Sequence, residues 1–159
     1  MKMYNLKNLL VAVPLALGLV VWTGCDKDDD DDMPDTMYNI SGSASGTQVV
    51  PSVTGTGTGN ISGTYNATTN TLTYTSTWTG LTGAPTSAAF YSGASGTAGT
   101  MVGSNWTLGS GLTGTGTFSS TMMLTDAQET QFLSNGWYYS YGTTANPNGE
   151  VRGQIVALQ

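Results

Sequence analysis

Alternating apolar and hydroxyl positions run from Thr71 to Thr79, and this is the clearest pattern in the chain. Apolar side chains such as Leu72 and Trp78 occupy even positions, whereas threonines occupy every odd position. Because successive side chains of a β-strand point to opposite faces, this period of two predicts a strand with one buried face. Residues 61–65 alternate in a similar way, and the polar residues 66–70 between the two segments predict a hairpin loop.

Further segments with strand character follow at short intervals along the chain. They lie near residues 48–53, 87–91, 99–108, 113–124, 137–143 and 150–158. Several short strands separated by turns rich in glycine and threonine are typical of an antiparallel β-sandwich or a Greek-key barrel. The pattern therefore predicts an all-β fold.

One segment, residues 125–135, breaks the strand pattern and predicts a short helix. Thr125 and Gln128 have the spacing of a capping box, in which each side chain binds the backbone N–H of the other residue. Phe132 is expected to hold the helix against the core, and Gly136 is expected to end it.

Charge is distributed very unevenly along this chain, whose net charge is −6. Seven of the ten acidic residues lie between Asp26 and Asp35. From Tyr38 onward the charged residues are Asp126, Glu129, Glu150 and Arg152. Since phosphate binding needs clustered Lys or Arg, no nucleic-acid partner is expected.

The chain contains no histidine and one cysteine. This inventory excludes a Ser-His-Asp triad, a Cys-His pair, a histidine-based metal site and an intrachain disulfide. We therefore expect no enzymatic activity, no cofactor and no metal.

The N-terminus has the layout of an export signal. Lys2 and Lys7 precede an uncharged apolar run over residues 9–21, which is short for a membrane span. The run ends in Val-Trp-Thr-Gly before Cys25, and this sequence resembles the lipobox of bacterial lipoproteins, although Trp22 departs from the usual Leu. The resemblance implies a signal peptide over residues 1–24 and lipidation of Cys25, which gives a membrane anchor. The alternative is an ordinary signal peptide with an incidental cysteine.

An acidic segment, residues 25–37, follows the cysteine and predicts an extended tether, because successive aspartates repel each other. Lys27 with Asp28, Asp29 and Asp30 resembles the signal that sends some lipoproteins to the outer face of the outer membrane. It implies an outer-membrane lipid anchor facing the cell exterior. A plain solvated tether and a weak calcium site are the alternatives.

Three stretches of the remaining segment, residues 38–159, resemble the CHRD domain, named after chordin. They are residues 45–59, 60–83 and 124–158, of which the last contains the most specific motif, Asn-Pro-Asn-Gly followed by Glu-Val-Arg-Gly-Gln-Ile. The resemblance implies an immunoglobulin-like or superoxide-dismutase-like β-fold. It implies no settled biochemical role in bacteria.

The chain departs from the family pattern at its polar positions. Phe90, Ser92 and Gly142 stand where typical members have histidine, and Val49 stands where they have glutamate. None of these side chains is a useful ligand for a transition metal. The hypothesis is that Phe90, Tyr91 and Tyr141 fill or cover the space of a polar cluster.

Aromatic residues provide the candidate ligand contacts. Trp137, Tyr139 and Tyr141 share one face of a predicted strand and, with Phe90 and Tyr91, form a set able to stack on sugar rings. Packing within the core is the alternative, since aromatics are common in strands.

Glu150 and Arg152 are predicted to take part in a structural ion pair at the rim of the domain, either with each other, because residues two apart on a strand share a face, or across to a neighbouring residue. A catalytic role for Glu150 would need a second acid, for which only Asp126 and Glu129 are candidates.

These observations favour a cell-envelope lipoprotein with a non-enzymatic binding or structural domain outside the cell. Its expected partners are the membrane, through the lipid, and an extracellular protein or glycan. The alternatives are a carbohydrate-binding module of an envelope system and a degenerate superoxide-dismutase-like metalloprotein, which the lack of histidine disfavours.

Overall fold

The computed structural model describes residues 36–159, and this part of the chain is mostly antiparallel β-structure. Its elements are β1 (Met37–Ser45), a 3₁₀ helix (Gly46–Gln48), β2 (Thr58–Asn66), β3 (Thr71–Thr79), β4 (Pro85–Ser92), β5 (Thr100–Val102), β6 (Gly116–Met123), α1 (Asp126–Leu133), β7 (Trp137–Thr143), β8 (Val151–Gln154) and β9 (Val156–Leu158). Within residues 36–159, no helix has the length and apolar character needed to cross a membrane.

The strands form one sheet that folds over on itself into a β-sandwich. Their order is β5-β4-β7-β8-β1-β2-β3-β6, with β9 also paired to β1. We call β1, β2, β3 and β6 the first half-sheet, and β5, β4, β7 and β8 the second half-sheet. The two half-sheets are joined by the pairing of β1 with β8, in which Ser45 lies opposite Arg152.

Rings from the two half-sheets pack against each other in the core. Trp78 of β3 lies 5.0 Å from Tyr141 of β7, and Tyr74 of β3 lies 4.8 Å from Phe90 of β4, measured between ring centroids. Aromatic pairs at such distances add to the stability gained by burying their surface. The predicted all-β class with one short helix is therefore confirmed.

The alternation predicted for β3 is confirmed residue by residue. Its even positions, including Leu72 and Trp78, are buried, whereas its threonines line the outer face. On that face, hydroxyl groups meet across strands, as between Thr75 and Ser119 at 2.8 Å. Because threonine suits strands and hydrogen-bonds well to water, this outer face needs no charge.

The predicted helix is confirmed with both halves of its capping box. The Thr125 hydroxyl accepts from the backbone N–H of Gln128, and the Gln128 side chain accepts from that of Thr125. The left-handed residue that ends the helix is Asn135 rather than Gly136. The N–H of Gly136 donates to the carbonyl of Gln131 at 2.9 Å, which completes a Schellman motif.

Three of the predicted strand segments were wrong in whole or in part. Residues 48–53 are not a strand but a tight loop, which the N–H of Val53 closes by donating to the carbonyl of Gly46. The segment 99–108 contains only the three residues of β5, and the segment 150–158 is interrupted at Ile155, after which the chain leaves β7 and pairs with β1.

Strand β1 was not predicted at all. Its sequence is dominated by Ser, Asn and Gly, and only Ile40 and Ala44 are buried. With so few apolar side chains, the alternation of buried and exposed positions cannot be recognised in the sequence.

Candidate functional site

A cleft opens where the sandwich fails to close. Within the described residues, the edge strands β5 and β6 do not pair with each other. The segment 103–115 crosses this gap, and the backbone N–H of Trp106 fixes it by donating to the carbonyl of Ala88 at 2.7 Å. The result is a cleft of about 450 Å³ between this segment and β6.

Aromatic rings form one wall and the floor of this cleft. Trp106 stacks on Phe118 with ring centroids 5.2 Å apart and planes 13° from parallel. Tyr74 and Phe90 lie beneath them, with centroids 5.2 Å and 5.0 Å from that of Trp106. Both Trp106 and Phe118 are partly exposed, so their rings are accessible to a ligand.

Hydroxyl and amide groups line the rest of the cleft. They belong to Ser104, Asn105, Thr107 and Ser120, whereas the hydroxyl groups of Ser119 and Thr121 are bonded to Thr75 and Thr73 on the outer face of the sheet. Burial raises the pKa of Tyr74 to about 12 and outweighs its hydrogen bond with Ser120, so the phenol remains a neutral donor at physiological pH. Flat rings beside many neutral donors and acceptors suit an uncharged ligand that carries hydroxyl groups.

The indole N–H of Trp106 has no hydrogen-bond partner among residues 36–159, and its ring is only partly buried. The other two tryptophans of this part of the chain differ. The indole N–H of Trp78 donates to the carbonyl of Thr113 at 3.0 Å, whereas that of Trp137 is buried and unpaired within the described structure. Trp106 therefore offers the one indole donor at an accessible ring in this part of the chain.

Four of the five aromatic residues predicted as ligand contacts are core residues instead. Phe90, Trp137, Tyr139 and Tyr141 are each at most 1% exposed, because they lie on the inner faces of β4 and β7. The Tyr141 hydroxyl donates to the Ser76 hydroxyl at 2.7 Å, and burial raises the pKa of Tyr141. The core-packing alternative is thus correct for these four residues. Of the four, only Phe90 also lines the cleft, where it forms part of the floor.

Tyr91 lies on the opposite face of β4 and is partly exposed. Its ring stacks on that of Tyr138, with centroids 5.1 Å apart and planes 11° from parallel. The guanidinium carbon of Arg152 lies 3.5 Å from the centroid of the Tyr138 ring. These three side chains form a layered cluster on the outer face of the second half-sheet.

The predicted ion pair between Glu150 and Arg152 is wrong. The Glu150 carboxylate accepts from the N–H and hydroxyl of Thr82, at 2.7 Å and 2.6 Å, and from the Thr143 hydroxyl at 2.5 Å. The Arg152 guanidinium donates instead to the carbonyls of Thr97 and Ala94, at 2.7 Å and 2.8 Å. Both side chains are buried, so neither lies at an exposed rim.

Glu150 has a structural role in this arrangement. Burial raises the pKa of its carboxyl group, but the hydrogen bonds from Thr143, Thr82 and Asn146 outweigh that effect and lower the pKa below its ordinary value of 4.5. The carboxylate thereby ties the loop after β3 to the adjoining ends of β7 and β8.

The three positions that correspond to histidines in typical family members do not form one cluster. Phe90 and Ser92 lie on one face of β4, whereas Gly142 lies on the other face of the sheet, opposite Ser87. Residues 36–159 contain no group of three or more His, Cys, Asp or Glu side chains placed to hold a metal ion. The donor set therefore does not fit the copper or zinc that a superoxide-dismutase-like site would need.

The proposed lipidation site Cys25 and the proposed export signal, Lys27 with Asp28, Asp29 and Asp30, lie outside the described residues.

The fold and the site define the class of protein: it is an antiparallel β-sandwich with a ligand-sized cleft at its open side. The family model of the CHRD domain matches residues 40–155, and the chain belongs to the CHRD family. A CHRD domain is generally a non-catalytic domain, and membership suggests an extracellular binding or structural role. No curated protein and no solved structure matches the chain.

Trp106 and Phe118 are cleft residues that the sequence pattern did not predict. Trp106 lies in a glycine-rich segment where the strand pattern fails, and an isolated large aromatic in such a segment was the available signal.

Proposed function

We propose that this chain is a lipid-anchored protein of the outer membrane whose CHRD domain is displayed outside the cell and binds a ligand. The anchor is supported by a lone cysteine placed four residues after the end of an apolar run of signal-peptide length. The acidic segment that follows supports a tether, which would hold the domain away from the membrane surface.

Binding rather than catalysis is supported by the roles of the titratable side chains. Glu150 is hydrogen-bonded to three groups of the fold, and Asp126 lies in the first turn of α1, where it faces the positive end of the helix dipole. Neither belongs to the cleft lining, which contains no acidic or basic side chain.

The ligand class that the cleft supports best is a neutral carbohydrate. The observation that carries this proposal is the stacked pair of Trp106 and Phe118, which lies in the same cleft as the polar residues Ser104, Asn105 and Ser120. Sugar rings have apolar faces that pack on aromatic rings and hydroxyl groups that exchange hydrogen bonds with polar side chains.

A glycan array probed with the full-length protein in detergent tests the ligand class. We expect binding to neutral glycans, which Trp106→Ala should reduce at least tenfold. Trp106→Phe should retain part of the binding, because it keeps an aromatic ring but removes the indole N–H. Met123→Ala provides the matched control, since Met123 is an exposed side chain on β6 outside the cleft lining. Equal binding by the unmodified protein and Trp106→Ala would contradict the proposal.

The anchor and the display are tested separately from the ligand. Mass spectrometry of the mature protein should show an acylated N-terminal Cys25, and Cys25→Ser should release the protein from the membrane. Protease added to intact cells should remove the domain, and replacing Asp28, Asp29 and Asp30 together with Ala should leave the protein lipidated but protected. An unmodified Cys25 within an intact N-terminus would contradict the anchor, and protection of the unmutated protein would contradict the display.

A further inference from the structure

A second cavity lies on the outer face of the second half-sheet, and a buried arginine forms part of its wall. The cavity measures about 320 Å³ and is lined among others by Val49, Tyr91, Tyr138, Asn148 and Arg152. Arg152 is only 3% exposed, although an arginine remains charged in proteins. A charge in such a place is normally compensated by an anion.

No carboxylate of residues 36–159 compensates the charge of Arg152. Glu150 is bound by threonines, and Asp126 and Glu129 lie in the first turn of α1. The two hydrogen bonds of the guanidinium end on the neutral carbonyls of Ala94 and Thr97. They use two of the five N–H groups of an arginine, so donors remain for another acceptor.

The surroundings of Arg152 hold its guanidinium in a fixed position. The Tyr138 ring lies against one face of the guanidinium group, and the carbonyls of Ala94 and Thr97 fix two of its nitrogens. Burial lowers the pKa of Arg152, and the charge of a neighbouring anion would have the opposite effect. A cation that is already fixed loses little conformational entropy when a ligand binds.

We propose that this cavity is a binding site for a carboxylate, held by the Arg152 guanidinium and bordered by the Tyr91 ring and the Asn148 side chain. Arginine and carboxylate groups match in geometry and form short charge-assisted hydrogen bonds. The carboxylate belongs to a small organic acid or to an acidic sugar, and both share this chemistry. The site is lined by none of the cleft residues, so the proposal does not rest on the carbohydrate proposal.

Thermal unfolding of the full-length protein in detergent tests the site, with sodium acetate and sodium glucuronate as probes. Sodium chloride at the same ionic strength is the reference for both. We expect acetate to raise the unfolding midpoint in a saturable way, and chloride to have no such effect. A lower half-saturation concentration for glucuronate would identify an acidic sugar as the source, whereas equal values would identify a small organic acid. A midpoint that responds equally to acetate and chloride would overturn the proposal.

Two variants test whether the acetate-induced rise in the unfolding midpoint comes from binding in this cavity. Arg152→Gln should abolish it, and Val49→Glu should replace the ligand by placing a carboxylate of the chain itself in the cavity. We therefore expect Val49→Glu to have a higher midpoint than the unmodified protein without acetate, and no further rise with acetate. Val156→Glu, which adds the same group at a partly exposed position of β9, should keep the acetate response.

The Val49→Glu variant keeps the test decisive even where Arg152→Gln fails to fold. Placing a glutamate at a buried valine ordinarily destabilises a protein, because the carboxylate loses its hydration. A lower midpoint for Val49→Glu, or an acetate response that persists in it, would therefore overturn the proposal.

Discussion

Phe90 connects the core to the cleft, and its truncation tests whether β4 faces inward as described. The side chain is 1% exposed, and its ring centroid lies 4.8 Å from that of Tyr74, 5.0 Å from that of Trp106 and 5.7 Å from that of Trp137. Replacing it by alanine removes buried surface and leaves a cavity among three rings. Such substitutions cost about 3–5 kcal/mol of the free energy of unfolding.

The three ring contacts place the expected loss for Phe90→Ala in the upper part of that range, because each aromatic pair adds roughly 0.5–1.5 kcal/mol beyond burial. Domains of this size are stable by about 5–15 kcal/mol, so the variant should still fold at low temperature. Urea titration followed by far-UV circular dichroism measures the loss, with an unchanged slope as the check on two-state unfolding.

Two control variants separate the effect of the lost side-chain volume from the effect of the position along β4. Phe90→Leu fills most of the cavity but loses the three ring contacts, so it should cost less than Phe90→Ala, about 1.5–3 kcal/mol. Tyr91→Ala removes the next side chain, which is partly exposed on the opposite face, and should cost less than half of the loss seen for Phe90→Ala. A loss below about 1 kcal/mol for Phe90→Ala would refute the inward placement, since truncation of a fully buried phenylalanine typically costs about 3–5 kcal/mol.

Three further predictions concern single contacts of the fold. Glu150→Gln should lower the free energy of unfolding by about 1.5–3 kcal/mol at pH 7, because it removes charge-assisted hydrogen bonds. Since the folded pKa of Glu150 lies below 4.5, its contribution is present above that pH and is lost as the pH falls through the folded pKa; the difference between the two proteins in urea titrations should therefore shrink as the pH is lowered from 7 into the acid range, and a constant difference would contradict this role. Tyr141→Phe should cost about 0.5–1.5 kcal/mol, because it removes the donor at 2.7 Å from the buried Ser76 hydroxyl, which keeps its own bond to the Asn60 carbonyl; a variant as stable as the unmodified protein in thermal unfolding would be the opposing result. Thr125→Ala should cost about 1 kcal/mol through the lost helix cap, whereas Thr125→Ser should restore it in the same assay.

Local sequence patterns predicted the helix and several of the longer strands, but they missed β1 and did not give the pairing of the strands. The bounds of β3 and β7 agree with the predicted segments, because β3 is a long alternating run and β7 is rich in aromatic residues that favour strands. The helix was predicted from Thr125 and Gln128, whose interaction is local. Strand β1 was missed because small polar residues fit a strand or a loop equally well, and its pairing with β2 over nine residues decides its structure.

The candidate sites depend on long-range geometry and were harder to predict. The sequence placed Trp137, Tyr139 and Tyr141 on one face of a strand, but only the packing of the half-sheets shows that this face is buried. Arg152 finds its carbonyl partners more than 50 residues away in the chain, so no spacing rule reveals them. The cleft at Trp106 exists because β5 and β6 leave a gap, which is a property of the strand order.

The most direct test of carbohydrate binding in the cleft is a nuclear magnetic resonance titration that follows the indole N–H signals of the ¹⁵N-labelled protein. The probes are neutral hexasaccharides of the cello, malto and chito series. Because only Trp106 offers an unpaired indole N–H at an accessible ring among residues 36–159, at least one probe should shift its signal in a saturable way. The signals of Trp78 and Trp137 should stay in place. A Trp106 signal that none of the three series moves, or a shift confined to Trp78 or Trp137, would contradict the account.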